Sequence, residues 1–258
     1  MSYLLVTTFN LDGYNLYGKK MLEAFLKYWP SNQQIIVYTE NCKLDNSLIN
    51  PRIIVKDLLL NQDLVNFKTR HANNPVANGY KDDKKNFLFD AVRFSHKVFS
   101  LYDAVQTNLG KSIVWVDADT ITHRKVPESF LLDNFPNKFG IAYLGRIKQY
   151  SECGWVVYHT NHPLMKDFWE TFVDYYRKDT IFNLTEWHDS YVFDVARKEY
   201  EAKGMVNQNI TPNFVAGHPF INCVLGEYMD HMKGPRKQTG RSKKTERLIK
   251  SDSIGWWK

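Results

Sequence analysis

The stretch VWVDADT, residues 114–120, decides how the chain is read, because an apolar run ends in two aspartates one residue apart. A buried carboxylate without a partner is among the costliest groups a fold can hold, so a cation is expected beside this pair. Val114, Trp115 and Val116 have the β-branched and aromatic character of a buried strand. On or just past such a strand, residues two apart leave from the same face, so Asp117 and Asp119 stand together while the small Ala118 points away. Ligands of open α/β sheets bind beyond the carboxyl ends of the strands. Paired carboxylates at that place suit a divalent cation shared with the diphosphate of a nucleotide.

Working outward, FLFDAVRFSHKVFSLYDAV (87–105) has helical periodicity, with Arg93, His96, Lys97 and Ser100 on one polar stripe. SYLLVTTF (2–9) reads as a first buried strand, followed from Gly13 by a helix with Tyr17, Met21, Leu22, Phe25 and Leu26 on one face, stopped at Pro30. QQIIVYTE (33–40) and RIIVKD (52–57) are further short apolar strands, and residues 61–85 read as loop or short irregular helices. Downstream, FGIAYLGR (139–146) and CGWVVYHT (153–160) read as strands. HPLMKDFWETFVDYYRK (162–178) and WHDSYVFDVARKEY (187–200) read as helices. Strands alternating with helices predict an α/β fold with a mostly parallel central sheet flanked by helices.

At 258 residues one domain is expected, and no apolar run approaches the roughly 20 residues of a membrane span. The opening MSYLLVTTFN has neither a basic n-region nor a cleavage site, so a cytoplasmic protein is expected, at most peripheral at a membrane surface. Cys42, Cys153 and Cys223 are few and widely spaced, which excludes a disulfide framework and a zinc cage. The Asn-x-Thr triplets at Asn183 and Asn209 are then chance matches. The net charge of +6 is concentrated near the end, from Lys233 through Arg236, Lys237, Arg241, Lys243, Lys244 and Arg247 to Lys250. Little apolar material accompanies it, so no stable element is expected there, and the run reads as a solvated tail or as the seat of an anionic partner. No nucleic-acid-binding motif supports nucleic acid as that partner.

YMDHMKGPRK (228–237) supplies the second signal. An apolar strand ending in Asp-x-Asp, with a downstream His-x-x-Gly-x-x-Lys, resembles the GT-A glycosyltransferases, especially the glycogenin-like retaining family. The resemblance implies a GT-A fold and Asp117, Asp119 and His231 as ligands of manganese, with magnesium the alternative. It also implies Gly234 and Lys237 as contacts to the donor diphosphate, alongside Asp117. An imidazole added to carboxylates moves the preference from magnesium toward manganese.

By position in the same family, Arg93 reaches the donor from its helix, with Lys97 one turn on. SECGWVVYH (151–159) matches a strand that begins with an Asn-Ser-Gly-like turn, with Gly154 kept and Glu152 and Cys153 in place of the polar pair. EWHDSYVF (186–193) matches a short acidic segment near the anomeric carbon and makes Asp189 the candidate catalytic residue. The end of the first strand is where this fold places the nucleoside, so Thr8 and a stacking Tyr14 are candidates, against an ordinary helix cap. Trp115, Trp155 and Trp187 are expected in core packing.

The resemblance divides the single domain into a nucleotide-sugar-binding half (1–125), an acceptor and catalytic half (126–232) and a basic lid or tail (233–258). It implies transfer of a sugar, of hexosyl type, from a nucleotide-diphosphate donor, UDP-linked, to a glycan, lipid-linked or other hydroxyl acceptor, with retention or inversion undecided. A haloacid-dehalogenase-type phosphatase with Asp117 as nucleophile is the rival enzyme, although Thr120 stands one place early for its motif and over a hundred residues precede the pair. A non-catalytic module binding nucleotide sugars or glycans is the remaining alternative.

Overall fold

The structure is a computed structural model and describes residues 2–215, 217–234, 236–248 and Trp256. In chain order the strands are β1 (Tyr3–Asn10), β2 (Gln34–Glu40), β3 (Ile53–Asp57), β4 (Tyr80–Lys81), β5 (Lys84–Lys85), β6 (Ser112–Val116), β7 (Thr120–Thr122), β8 (Ile141–Arg146), β9 (Gln149–His159), β10 (Gln208–Asn209) and β11 (Met229–His231). The helices are α1 (Leu11–Gly13), α2 (Lys19–Tyr28), α3 (Gln62–Arg70), α4 (Ala91–Thr107), α5 (Phe130–Asn134), α6 (Met165–Arg177), α7 (Asp189–Ala202) and α8 (Arg236–Thr239).

A 7-stranded sheet in the order β10-β8-β9-β6-β1-β2-β3 forms the centre. Only β9 runs against its neighbours; the pairs β10/β8, β6/β1, β1/β2 and β2/β3 are parallel. The expected α/β class with a mostly parallel sheet flanked by helices is therefore what the chain forms. Alternate strand residues feed two cores, as the period of two requires. Leu4, Val6, Ile113 and Trp115 pack with α3, α4, α6 and α7, while Leu5, Val114 and Val116 pack with α2 and α5. Trp115 and Trp155 are buried in these cores and Trp187 packs against one of them, as expected.

Three segments differ from the sequence expectation. The first helix begins at Leu11, where the Asn10 side chain accepts from the Gly13 backbone N–H, and passes through a π turn over Tyr14–Gly18 before α2. Residues 62–70 form a regular helix, because Asn61 caps it through the Leu64 N–H and Leu64 and Phe67 are buried beneath it. The basic run contains α8 and a 3-10 turn over Lys244–Glu246. Ion pairing and caps hold them in place of an apolar face: Arg236 pairs with Glu246, and the buried Asp230 accepts from the Ser242 N–H at 2.7 Å and hydroxyl at 2.6 Å. Among the described residues no helix is long and apolar enough to cross a membrane.

Candidate active site

At the carboxyl ends of β1, β2 and β6 the sheet opens into a cavity of about 860 Å³, within the size range of small-molecule sites. Asp117 follows β6 directly, and its backbone N–H donates to Gly154 O on β9 at 3.0 Å. The chain then turns back through β7, which pairs antiparallel with β11 so that His231 lies opposite Thr120. Met232 N–H donates to Asp119 O at 2.8 Å, completing the clasp. This small sheet is why two motifs far apart in sequence meet.

His231 Nε2 stands 3.1 Å from Asp119 Oδ1 and 3.4 Å from Asp117 Oδ2. One ligand atom from each of Asp117, Asp119 and His231 lies within 4.8 Å of the others. Two carboxylates and one imidazole at that spacing fit a divalent cation, and the mixed oxygen and nitrogen set suits manganese as well as magnesium. Without a cation the cluster is held by protons and lysines. Burial pulls the His231 pKa down, but Asp119, Asp117 and Glu152 together push it up to about 10. Burial raises the Asp117 pKa, yet Lys97, His231 and the Trp115 indole N–H hold it well below the carboxylate range. Asp119 is lowered too, because His231 and Lys237 outweigh burial and the nearby Asp117. Lys237 Nζ lies 3.0 Å from Asp119 Oδ2.

Lys97 is buried rather than aimed at a ligand. Its ammonium donates to Cys153 O at 2.6 Å and Asp189 Oδ2 at 2.9 Å, and lies 3.4 Å from Asp117 Oδ1. Burial lowers its pKa, but Asp117 and Asp189 reverse the shift, so it stays charged. Of the expected polar stripe on α4, Lys97 and Ser100 are buried and His96 pairs with Glu40, while Arg93 stays exposed. The structure brings Thr8, Arg93, Lys97, Asp117, Asp119, Asp189, His231, Gly234 and Lys237 to the one cavity. Thr8 spends its hydroxyl on Tyr38 O at 2.9 Å, Arg93 is exposed, and Gly234 has φ +64 in the left-handed region that favours glycine.

Tyr14 departs from the expectation. It is 3% exposed, packs against Phe9 and accepts the Asp45 backbone N–H, so it cannot stack on a ligand in the cavity. Tyr17 lines the cavity instead, with Lys237 Nζ 4.8 Å from its ring centroid.

Glu152 takes a larger part than its position as a substitute in a turn suggested. It is 3% exposed, with Oε1 3.6 Å from His231 Nδ1 and Oε2 3.1 Å from Lys233 Nζ. Burial raises its pKa, but His231 and Lys233 bring it below the usual value. The signal available in sequence was a carboxylate at the start of an otherwise buried strand, two residues before Gly154. A Cβ at Gly154 would stand 2.6 Å from His231 Cε1 and 2.7 Å from Nδ1, so glycine is required for the imidazole to reach the carboxylates.

No family model matches the chain, and no curated protein matches it. Solved structures resemble it at low identity. Mouse xyloside xylosyltransferase 1 is 11% identical over 81% of this chain and 85% of its own, with a TM-score of 0.49. A glycosyltransferase involved in glycosylation of the major capsid of PBCV-1 is 12% identical over 93% of this chain and 100% of its own, at 0.45. The glycosyltransferase GlyE of Streptococcus pneumoniae TIGR4 is 9% identical over 81% of this chain, at 0.48, and the chain spans 45% of it. All three are glycosyltransferases, and with TM-scores this low the likeness supplies no correspondence between residues.

Proposed function

We propose that the chain is a metal-dependent glycosyltransferase of GT-A, glycogenin-like type, which transfers a hexosyl group from a UDP-linked donor to an acceptor hydroxyl. The observation that carries the reading is the meeting of Asp117, Asp119 and His231 with Lys237 at the carboxyl ends of the sheet, in a cavity of nucleotide-sugar size.

Asp117, Asp119 and His231 would hold the divalent cation, manganese in this reading. When bound, it supplies Lewis-acid neutralisation of the charge that builds on the leaving diphosphate. Lys237, Lys233 and Arg93 line the same cavity and add positive potential toward that group. Gly234, bare of a side chain, lets the backbone approach a phosphate. Lys97 fixes the Asp189 carboxylate at 2.9 Å, so that Asp189 is held ready at the reacting centre rather than free to rotate. The basic segment that carries Lys233, Gly234 and Lys237 then acts as a cover over the diphosphate, excluding water that would otherwise take the sugar.

The phosphatase reading takes Asp117 as nucleophile and assigns no part to His231 and Lys237, which stand 3.1 Å and 3.0 Å from the Asp119 carboxylate. A thermal-shift screen of UDP, UDP-sugars and a phosphomonoester, each with and without Mn2+, tests the reading. Stabilisation that needs UDP and Mn2+ together is expected; stabilisation by the phosphomonoester alone would overturn it.

A further inference from the structure

The cavity reaches to both sides of β6 in the strand order. Asn10 and Glu40, at the ends of β1 and β2, line it on one side of Asp117. On the other side, Tyr150 of β9 and His188 at the start of α7 line it together with Phe87, just before α4, and Phe94, in its first turn. These rings form a connected group about His188, with centroids 5.8 Å away for Phe87, 6.4 Å for Phe94 and 5.2 Å for Tyr150. Phe87 is nonetheless 57% exposed, an aromatic ring that packing does not account for.

The group is built rather than incidental. Trp187 N–H donates to Leu88 O at 2.7 Å, which stitches the segment carrying Phe87 to the one carrying His188 and Asp189. Polar groups are interleaved with the rings: Glu186 receives His188 Nε2 at 2.7 Å and the Tyr150 hydroxyl at 3.2 Å, and Arg146 Nε donates to Tyr150 O at 2.6 Å. His188 and Arg146 line the cavity with these rings, backed by Glu186, and a site for an alkyl chain has no use for an imidazole and a guanidinium in its wall. A pyranose has use for both parts, since its C–H face lies on an aromatic ring and its hydroxyl edge bonds to polar groups.

We infer that Phe87, Phe94, Tyr150 and His188 form an acceptor subsite that takes a pyranose ring, so that the acceptor is a carbohydrate and its hydroxyl is delivered beside Asp189. The inference deepens the proposed transferase and rests on it for the word acceptor. The Phe87 face carries the ring, and Glu186, through His188 and Tyr150, fixes the polar edge.

Saturation-transfer NMR tests it with methyl hexopyranosides and lactose as saccharide probes and n-octanol as the apolar probe, on the wild type, Phe87→Ala and Phe87→Leu. Saccharide binding is expected in the wild type and should weaken about 10-fold in both variants, because leucine keeps apolar area and loses the aromatic face. UDP–Mn2+ binding, read separately by thermal shift, should be the same in all three. Absence of saccharide binding, undiminished binding in Phe87→Leu, or displacement of the sugars by n-octanol would overturn the subsite. Saccharide binding without any UDP–Mn2+ binding would keep the subsite and overturn the transferase, so the two failures are distinct.

Discussion

His231 Nε2 and Asp119 Oδ1 lie 3.1 Å apart although 112 residues separate them in the chain, and the pairing of β7 with β11 is what joins them. The carboxylates around the imidazole raise the His231 pKa to about 10, and in the proposed reading a cation bound by the three residues would displace that proton.

Asp119→Ala and His231→Ala should each lower Mn2+ affinity by about 100-fold or more, since in the proposed reading each removes a direct ligand where even outer partners cost 10–100-fold. Isothermal titration with Mn2+ in the presence of UDP reads this directly. Unchanged affinity in either variant would separate the two residues into different sites.

Gly154→Ala tests the same centre without touching a ligand. The added Cβ meets the imidazole at 2.6 Å, so the ring must leave the position in which it faces both aspartates. Mn2+ binding should fall about 10-fold or more while circular dichroism stays that of the wild type. A variant that binds Mn2+ normally would show that His231 has room to shift without consequence.

Lys97→Met should destabilise the fold by about 3–5 kcal/mol in urea denaturation, because Asp117 and Asp189 would then face each other with their shared cation removed. A loss under about 1 kcal/mol would mean that the lysine is dispensable to the apo fold.

How much of this was legible in the chain can be traced through single residues. The β6 strand and its two aspartates are visible because a period of two and an apolar run leave few alternatives. The burial of Lys97 was not, because helical periodicity shows which residues share a face and not what that face meets. Its counter-charges come from positions 20 and 92 residues away. Tyr14 failed for a local reason. It was a candidate for its place just past the end of β1, which does not say where the ring points; the ring packs on Phe9 and accepts from the Asp45 N–H, and Tyr17 lines the cavity instead. The structured part of the basic run escaped because it depends on Asp230 and Glu246 accepting bonds, which leaves no pattern in hydrophobicity.

His159 sets a pH dependence away from the site. It is 1% exposed, hydrogen-bonded to the Ser112 hydroxyl at 2.7 Å, and burial lowers its pKa from 6.5 to about 4. The folded state therefore favours the neutral ring, while the unfolded chain takes up a proton near pH 6.5. The contribution is present in full above that value and is lost as pH falls from 6.5 through 4, amounting to about 2 kcal/mol by pH 5. Denaturation of the wild type and His159→Gln at pH 7 and pH 5 should show the gap between them narrowing at the lower pH. A gap that widens would mean that the imidazole is charged in the fold.

Product analysis tests the central claim most directly. The purified chain is incubated with a panel of nucleotide-diphosphate sugars, with Mn2+ or with EDTA, and in parallel with a phosphomonoester, and the released species are separated by chromatography. The account predicts free nucleoside diphosphate from a UDP-sugar, formed with Mn2+, abolished by EDTA and absent in His231→Ala. Inorganic phosphate from the monoester, with no nucleoside diphosphate from any donor, would contradict it.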